Sequence, residues 1–244
     1  MIGLEWLAPR SGPKPERGLR WLSNMSLGVI AYALGRLAAG AAMVSVALLA
    51  QEKGWGLFNL VSWPAWAELL LTLALLDGLI WAQHWAFHAI PWLWPLHRVH
   101  HSDAALDVTT AWRFHPGEVI VSLLVKAIGV VLFGASPAAV VAFALLLAVS
   151  AMFNHAHLRL PLWLDRVLSI AIVTPDAHRV HHGIEAGFDR TNFGFFLNVW
   201  DRVAGCYRRL DDAATDALPL GSAGFSPRER LLALLAQPVK KAKP

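Results

Sequence analysis

Four long apolar runs leave this chain few ways to fold. They cover about Leu27 to Ala50, Trp66 to His88, Glu118 to Gly134 and Pro137 to His155. Crossing the hydrocarbon core of a bilayer takes roughly 20 helical residues. Inside it every backbone N–H and C=O must find its partner within the protein, which a helix provides. Each run therefore reads as a transmembrane helix. The expected fold is all-α: an integral membrane four-helix bundle with a cytoplasmic helical cap. The third run is short. It either tilts little, or pairs tightly with the fourth across "GASP", or joins it in a re-entrant hairpin. Only 16% of residues are charged, against about 25% in soluble domains. The twelve tryptophans suit a chain with two membrane–water interfaces.

Charge sets the orientation. The net charge is +4, but the basic residues form no aromatic-interleaved surface stretch, so nucleic acid is not an expected partner. They flank the apolar runs instead. Arg10, Lys14, Arg17 and Arg20 precede the first, and Arg98 and Arg113 lie between the second and third. Arg159, Arg166, Arg179, Arg190, Arg202, Arg208 and Arg209 follow the fourth. The other two loops carry only Lys53. By the positive-inside rule both termini are cytoplasmic and "QEKGWG" is outside. The expected setting is a multi-pass protein of a bacterial inner membrane.

The whole chain, 1–244, reads as one domain: an N-terminal arm (1–26), four helices with a cytoplasmic loop at 89–117 (27–156), a cap (157–210) and a tail (211–244). The arm resembles no signal peptide. "PLWLDRVLSIAIVTP" is too short to span and reads as a helix lying at the interface. The lysine-tipped tail reads as a second one. The single Cys206 excludes an intramolecular disulfide and a cysteine-based metal site.

Ten of the eleven histidines fall in four tight stretches. His84 and His88 stand in "HWAFH", and His155 and His157 in "FNHAH". "HRVHH" occurs twice, as His97, His100 and His101 and as His178, His181 and His182. The topology brings all four stretches to the inner membrane face. On a helix, residues three and four apart share a face, so HxxxH and HxxHH present imidazoles that converge on a metal with bonds near 2 Å. Eight or nine imidazoles exceed what one ion takes, so two ions are expected. Geometry alone admits iron or zinc. Asp77 lies seven and eleven residues before His84 and His88, on nearly the same face. It is expected to point inward, toward the site or toward Arg36 or Lys126. Asp103, Asp107, Asp176, Glu118, Asp189 and Asp201 are candidate acceptors for the second imidazole nitrogens.

The order HxxxH, HxxHH, HxxHH resembles the fatty acid hydroxylase/sterol desaturase superfamily of membrane di-iron oxygenases. The resemblance runs from about Leu76 to Tyr207 and includes "RFHPGE", "TPDAHRVHH" and "NFGFFLNVWDRVAGCYRR". It implies that His84, His88, His97, His100, His101, His178, His181 and His182 are iron ligands, with His155 a ninth. Asp77, His115, Glu118, His157, Asp176 and Asn192 are candidates to support them. The implied activity is insertion of oxygen into, or desaturation of, an unactivated lipid C–H bond. It would use O2, two iron ions and electrons from an external cytochrome, ferredoxin or reductase. Zinc would be an adventitious substitute in recombinant protein. The alternative is a membrane metal transporter or metal-binding protein, against which stands the clustering of histidines at one face.

Overall fold

The computed structural model describes residues 1–10, 17–39, 42–185, 187–225 and 230–240, with the side chains of 35–39 and 42 outside the description. Among the described residues there are helices, short 3-10 turns and isolated bridges, but no strand. The α-helices are α1 (Ile2–Leu7), α2 (Gly18–Ala39), α3 (Ala42–Lys53), α4 (Ala65–Ala89), α5 (Trp94–His101) and α6 (Pro116–Phe133). They continue with α7 (Pro137–His155), α8 (Leu162–Leu168), α9 (Pro175–His181), α10 (Val199–Val203), α11 (Asp212–Ala217) and α12 (Leu231–Ala236).

Among the described residues α4, α6 and α7 are long and apolar enough to cross a membrane. The first apolar run is divided between α2 and α3, on either side of residues 40–41, which lie outside the description. The two helices nevertheless cover the height of the bundle. At one end Gly28 of α2 backs onto Trp112, close enough that a Cβ there would meet its side chain at 3.0 Å. At the other end Ala47 of α3 packs with Val130, Ala135 and Val140. α2 begins before the apolar run because its first turns are polar anchors. Arg20 pairs with Asp103 at 2.8 Å and with Asp107, and Asn24 donates to Asp103 at 3.1 Å.

α6 and α7 do not form the tight pair expected from "GASP". Each packs on α3 and α4, and α4 sends Leu76 and Ile80 against Phe143 of α7. Their connection is tight all the same. Gly134 closes α6 with φ 70°, and Ser136 caps α7 through Ala139 N–H. Glu68 accepts from the backbone N–H and hydroxyl of Ser136 at 3.0 and 2.9 Å. Gly56 presses on this corner, where a Cβ would lie 2.2 Å from Gly134 N. Exposed tryptophans mark both ends of the bundle: Trp55, Trp63 and Trp66 at this end, Trp85, Trp92, Trp112 and Trp163 at the other. Trp66 and Trp85 lie about 28 Å apart along α4, near the thickness of a hydrocarbon core.

The short elements cover the second end. α8 exposes Leu162, Trp163 and Val167, as a helix at an interface would. Its Asp165, expected at the interface, is instead buried and accepts a salt bridge from Arg209 at 2.6 Å. The tail is not a free surface helix: Leu234 of α12 is fully buried against Leu27 and Val99, and Arg98 donates to the Gln237 and Lys240 carbonyls. Lys241 and Lys243 of the tail, and Lys14 of the arm, lie outside the described residues. The N-terminal arm docks too. Glu5 accepts from Val108 and His157 N–H at 2.9 and 2.8 Å, and Arg10 pairs with Asp176 and Asp216.

Candidate metal centre

The histidines lie where the long helices meet the short elements that cover their second end. α4 ends in His84 and His88, one turn apart on one face. α5 begins with Pro95 in its first turn, a position where proline's missing N–H costs nothing, and carries His97, His100 and His101. α7 ends at His155. α9 is short, opened by Thr174 and Pro175, and carries His178 and His181, with His182 closing it.

Nine of these side chains form two groups, within each of which the nearest ring nitrogens all lie within 4.8 Å of one another. The first holds His84, His88, His97, His101 and His181, and the second His100, His155, His178 and His182. Helix geometry explains why the five-letter segment recurs. In α5 the i, i+4 pair His97 and His101 turns to the first group, and His100 to the second. In α9 the i, i+4 pair His178 and His182 turns to the second group, and His181 to the first. Neighbouring residues differ by about 100° around a helix, so each adjacent His-His sends one ring to each group. The groups touch where His101 and His182 stack, ring centroids 4.3 Å apart.

Hydrogen bonds fix the tautomers of three rings. His84 Nδ1 faces the Phe193 carbonyl at 2.7 Å, His155 Nδ1 the Ala151 carbonyl at 2.6 Å, and His181 Nδ1 the Thr191 carbonyl at 2.7 Å. A carbonyl only accepts, so each Nδ1 carries the proton and each Nε2 turns a lone pair into the cluster. His97 Nδ1 lies 2.7 Å from Glu118 Oε1. Four contacts between Nε2 atoms follow: His84 to His97 at 3.0 Å, His100 to His155 at 3.0 Å, His155 to His178 at 2.9 Å and His178 to His182 at 3.2 Å. Nitrogens bonded to one ion at near 2 Å, at right angles, stand about 3 Å apart.

Burial keeps the rings of α5 and α9 neutral. It pushes the His97 pKa down to about 3, and those of His100, His101, His178, His181 and His182 well below the ordinary value. Repulsion between neighbouring imidazoles adds to the effect at the latter five. A neutral imidazole is the form that binds a metal. Both ring nitrogens of His88, Nε2 of His101 and His181, and Nδ1 of His100, His178 and His182 are buried and meet no hydrogen-bond partner among the described residues, while Nε2 of the last three crowds onto neighbouring Nε2 atoms. Each such group costs about 1–3 kcal/mol. A chain that buries so many lone pairs together is built to receive cations, and the donor set, all imidazole, suits iron or zinc.

The supporting residues expected from sequence divide. Glu118 holds His97 directly. Asp77 points inward as expected, but its partners are no cations: it accepts from Phe196 and Leu197 N–H and the Trp200 indole at 3.2, 3.1 and 2.9 Å. The Arg36 side chain lies outside the described residues. Asp201 does similar work, accepting from Trp81 Nε1, Phe193 N–H and Gly194 N–H at 2.8, 2.7 and 2.9 Å. These two carboxylates brace the segment whose Phe193 carbonyl holds His84. Asn192, with φ 53°, donates to the Ala177 and Arg208 carbonyls at 2.8 and 2.7 Å and ties that segment to α9.

Asp176 pairs with Arg10 rather than with a histidine. Asp103 and Asp107 go to Arg20, whose nearly buried guanidinium needs anionic partners. His115 sits outside both groups. Its Nδ1 accepts from Gly117 N–H, capping α6, and its Nε2 donates to the Leu235 carbonyl. His157 also sits outside, half-buried beside Arg10 and Arg179. Sequence reasoning missed the carbonyls of Phe193, Ala151 and Thr191, since any residue supplies one. It also missed Phe114, whose ring stacks on His100 at 4.5 Å.

Comparison with known proteins gives a coherent set. A fatty acid hydroxylase family model matches residues 69–206, which contain all nine clustered histidines. The chain is similar to the ornithine lipid hydroxylase OlsE of Rhizobium tropici, 26% identical over 180 residues that cover 73% of this chain and 52% of that protein. It is similar to alkylglycerol monooxygenase of Danio rerio, 29% identical over 192 residues, 74% of this chain and 40% of that one. The Homo sapiens alkylglycerol monooxygenase is 25% identical over 162 residues, 64% of this chain and 34% of its own. The chain thus spans about half or less of the length of these curated relatives. No solved structure matches.

Proposed function

The chain belongs to the fatty acid hydroxylase family, and from that premise we propose that it is a membrane lipid hydroxylase, an oxidoreductase dependent on iron and O2. The observation that carries this reading is the pair of histidine groups: five and four imidazoles, all but His88 fully buried, with their ring nitrogens mutually close. The nine histidines would hold two iron ions, one per group. Iron, when bound, supplies activation of O2 and attack on an unactivated C–H bond. One oxygen atom enters the lipid and the other leaves as water, with electrons and protons from an external donor. The names of the relatives, hydroxylase and monooxygenase, favour hydroxylation over desaturation.

The chain's own residues do the rest. Phe193, Ala151 and Thr191 carbonyls and Glu118 fix ring orientation. Such partners typically contribute 10–100-fold to metal affinity or activity. Asp77 and Asp201 hold the segment that carries one of these carbonyls. The apolar ends of α4, α6 and α7 keep water from the reacting carbon. By the distribution of Lys and Arg, the histidine layer faces the cytoplasm of a bacterial inner membrane, with α2 and α3 together making the first of four crossings.

The test is elemental analysis of the purified protein together with lipid extracts of cells with and without it, grown under labelled O2. Two iron ions per chain and a lipid gaining one labelled oxygen are expected. One metal ion per chain, or no labelled lipid, would overturn the reading.

A further inference from the structure

A cavity of about 300 Å³ runs between α3, α4, α6 and α7. Its upper end is made by Phe114, Glu118 and Ala151, the residues that stack on His100 and hold His97 and His155. Its lower end is Met43, Val130 and Val140. Glu118 and Val130 are about 18 Å apart along α6, so the cavity reaches from the histidines deep along the helix.

The walls are mostly apolar, with one polar stripe on α6: Glu118, Ser122 and Lys126, each four residues from the last and so on one face. Glu118 is engaged by His97. Lys126 has no ion pair or hydrogen bond among the described residues. Across the cavity, Gln83 lines the wall with its Oε1 buried and unpartnered. Lys126 sits near the midpoint of a spanning helix, too deep for its ammonium to reach either interface. A cation at that depth faces the protein interior or a pathway, and marks what passes there.

Resting on the lipid hydroxylase reading, we propose that Lys126 determines specificity: its ammonium takes an oxygen lone pair carried on the lipid chain, a carboxylate or a carbonyl. That oxygen then registers the chain. Lys126 lies about 12 Å along the helix from Glu118, so the carbon brought to the histidines is several methylenes away from it. A plain hydrocarbon leaves the ammonium unpaired in an apolar cavity and binds less well. A free fatty acid has the required chemistry, whereas the ester carbonyl of an intact phospholipid stays with its glycerol at the interface.

The experiment uses the full chain as purified, in nanodiscs, without reductant. Three photoreactive probes carry the same diazirine: palmitic acid, a phosphatidylcholine with that acyl chain, and hexadecane. Labelled peptides are mapped. The acid labels α4 and α6 about tenfold more than either the phosphatidylcholine or hexadecane, the effect of one modest polar interaction. Lys126→Met removes the difference, and Lys126→Arg keeps it. Equal labelling of the unaltered protein by all three probes overturns the proposal, and needs no variant to fold. A preference that survives Lys126→Met overturns it too. Because labelling needs no turnover, failure of iron-loaded protein to oxidise any lipid counts against the hydroxylase reading alone.

Discussion

His100 and His101 are neighbours in sequence yet serve different groups, so each should be needed for a different ion. His101→Ala is expected to deplete the five-histidine group and His182→Ala the four-histidine group. Each should lower metal content and abolish lipid oxidation, measured by elemental analysis and product assay. Full activity in either variant would sink the two-group description. His157→Ala and His115→Ala should keep both ions, because neither ring reaches the cluster. Glu118→Gln should cut metal affinity about 10–100-fold, the usual effect of losing a partner to a ligand's second nitrogen. Asp77→Leu should cost stability, about 3 kcal/mol, by stranding two N–H groups and an indole. Asp165→Leu, which from sequence should be milder, should be comparable, since Asp165 is buried and Arg209 would lose its partner. A Tm unchanged in both variants would contradict these contacts.

At the scale of elements, the long helices and the histidine-bearing segments were readable, and for a physical reason. An apolar run of bilayer length reports the 1.5 Å rise of a helix, and an HxxxH or HxxHH spacing reports its 3.6-residue turn. The partition into groups was present in the same spacing, since the doublets His100-His101 and His181-His182 have to point two ways. What could not be read is what depends on long-range packing. Asp165 faces inward because Arg209 reaches it from a distant segment. The α12 segment is buried because Leu27 and Val99 offer it a seat, and Asp103 and Asp107 were claimed by Arg20 before any histidine could use them. Since α12 packs on α5, Leu234→Ala should destabilise by about 2–5 kcal/mol, as for other buried leucines, and should lower metal content with it. Thermal unfolding and elemental analysis of the same preparation would check this, and metal retained at full stability would contradict it.

At the scale of the whole molecule, the buried imidazoles make the metal-free protein sensitive to acid. In the unfolded chain these histidines take up protons as pH falls through about 6.5, whereas burial holds His97 at about 3 and its neighbours well below their ordinary value. The unfolded state therefore binds more protons in that window, and stability rises with pH across it. The full contribution is present above pH 6.5 and is lost progressively below. Tm of the metal-free protein should fall steeply between pH 7 and 5, and a flat profile would mean the rings are not buried in common. Orientation is testable separately: a reporter fused at Gly54 should read outside, and a cytoplasmic reading would undo the four-crossing proposal.

The division of the histidines also bears on how the chain is tied together. The first group draws on α4, α5 and α9, and the second on α5, α7 and α9, so each bound ion would be a staple across three segments. The first closes a loop from His84 to His181, most of the family region, and the second closes a loop from His100 to His182. Closing loops of that length removes a large share of the unfolded chain's freedom, and the gain grows only slowly with length. Metal added to the unfolded protein would therefore draw α5 and α9 onto the ends of α4 and α7. Loss of the ions should first be felt in α9, which comes free while α4, α6 and α7 stay packed.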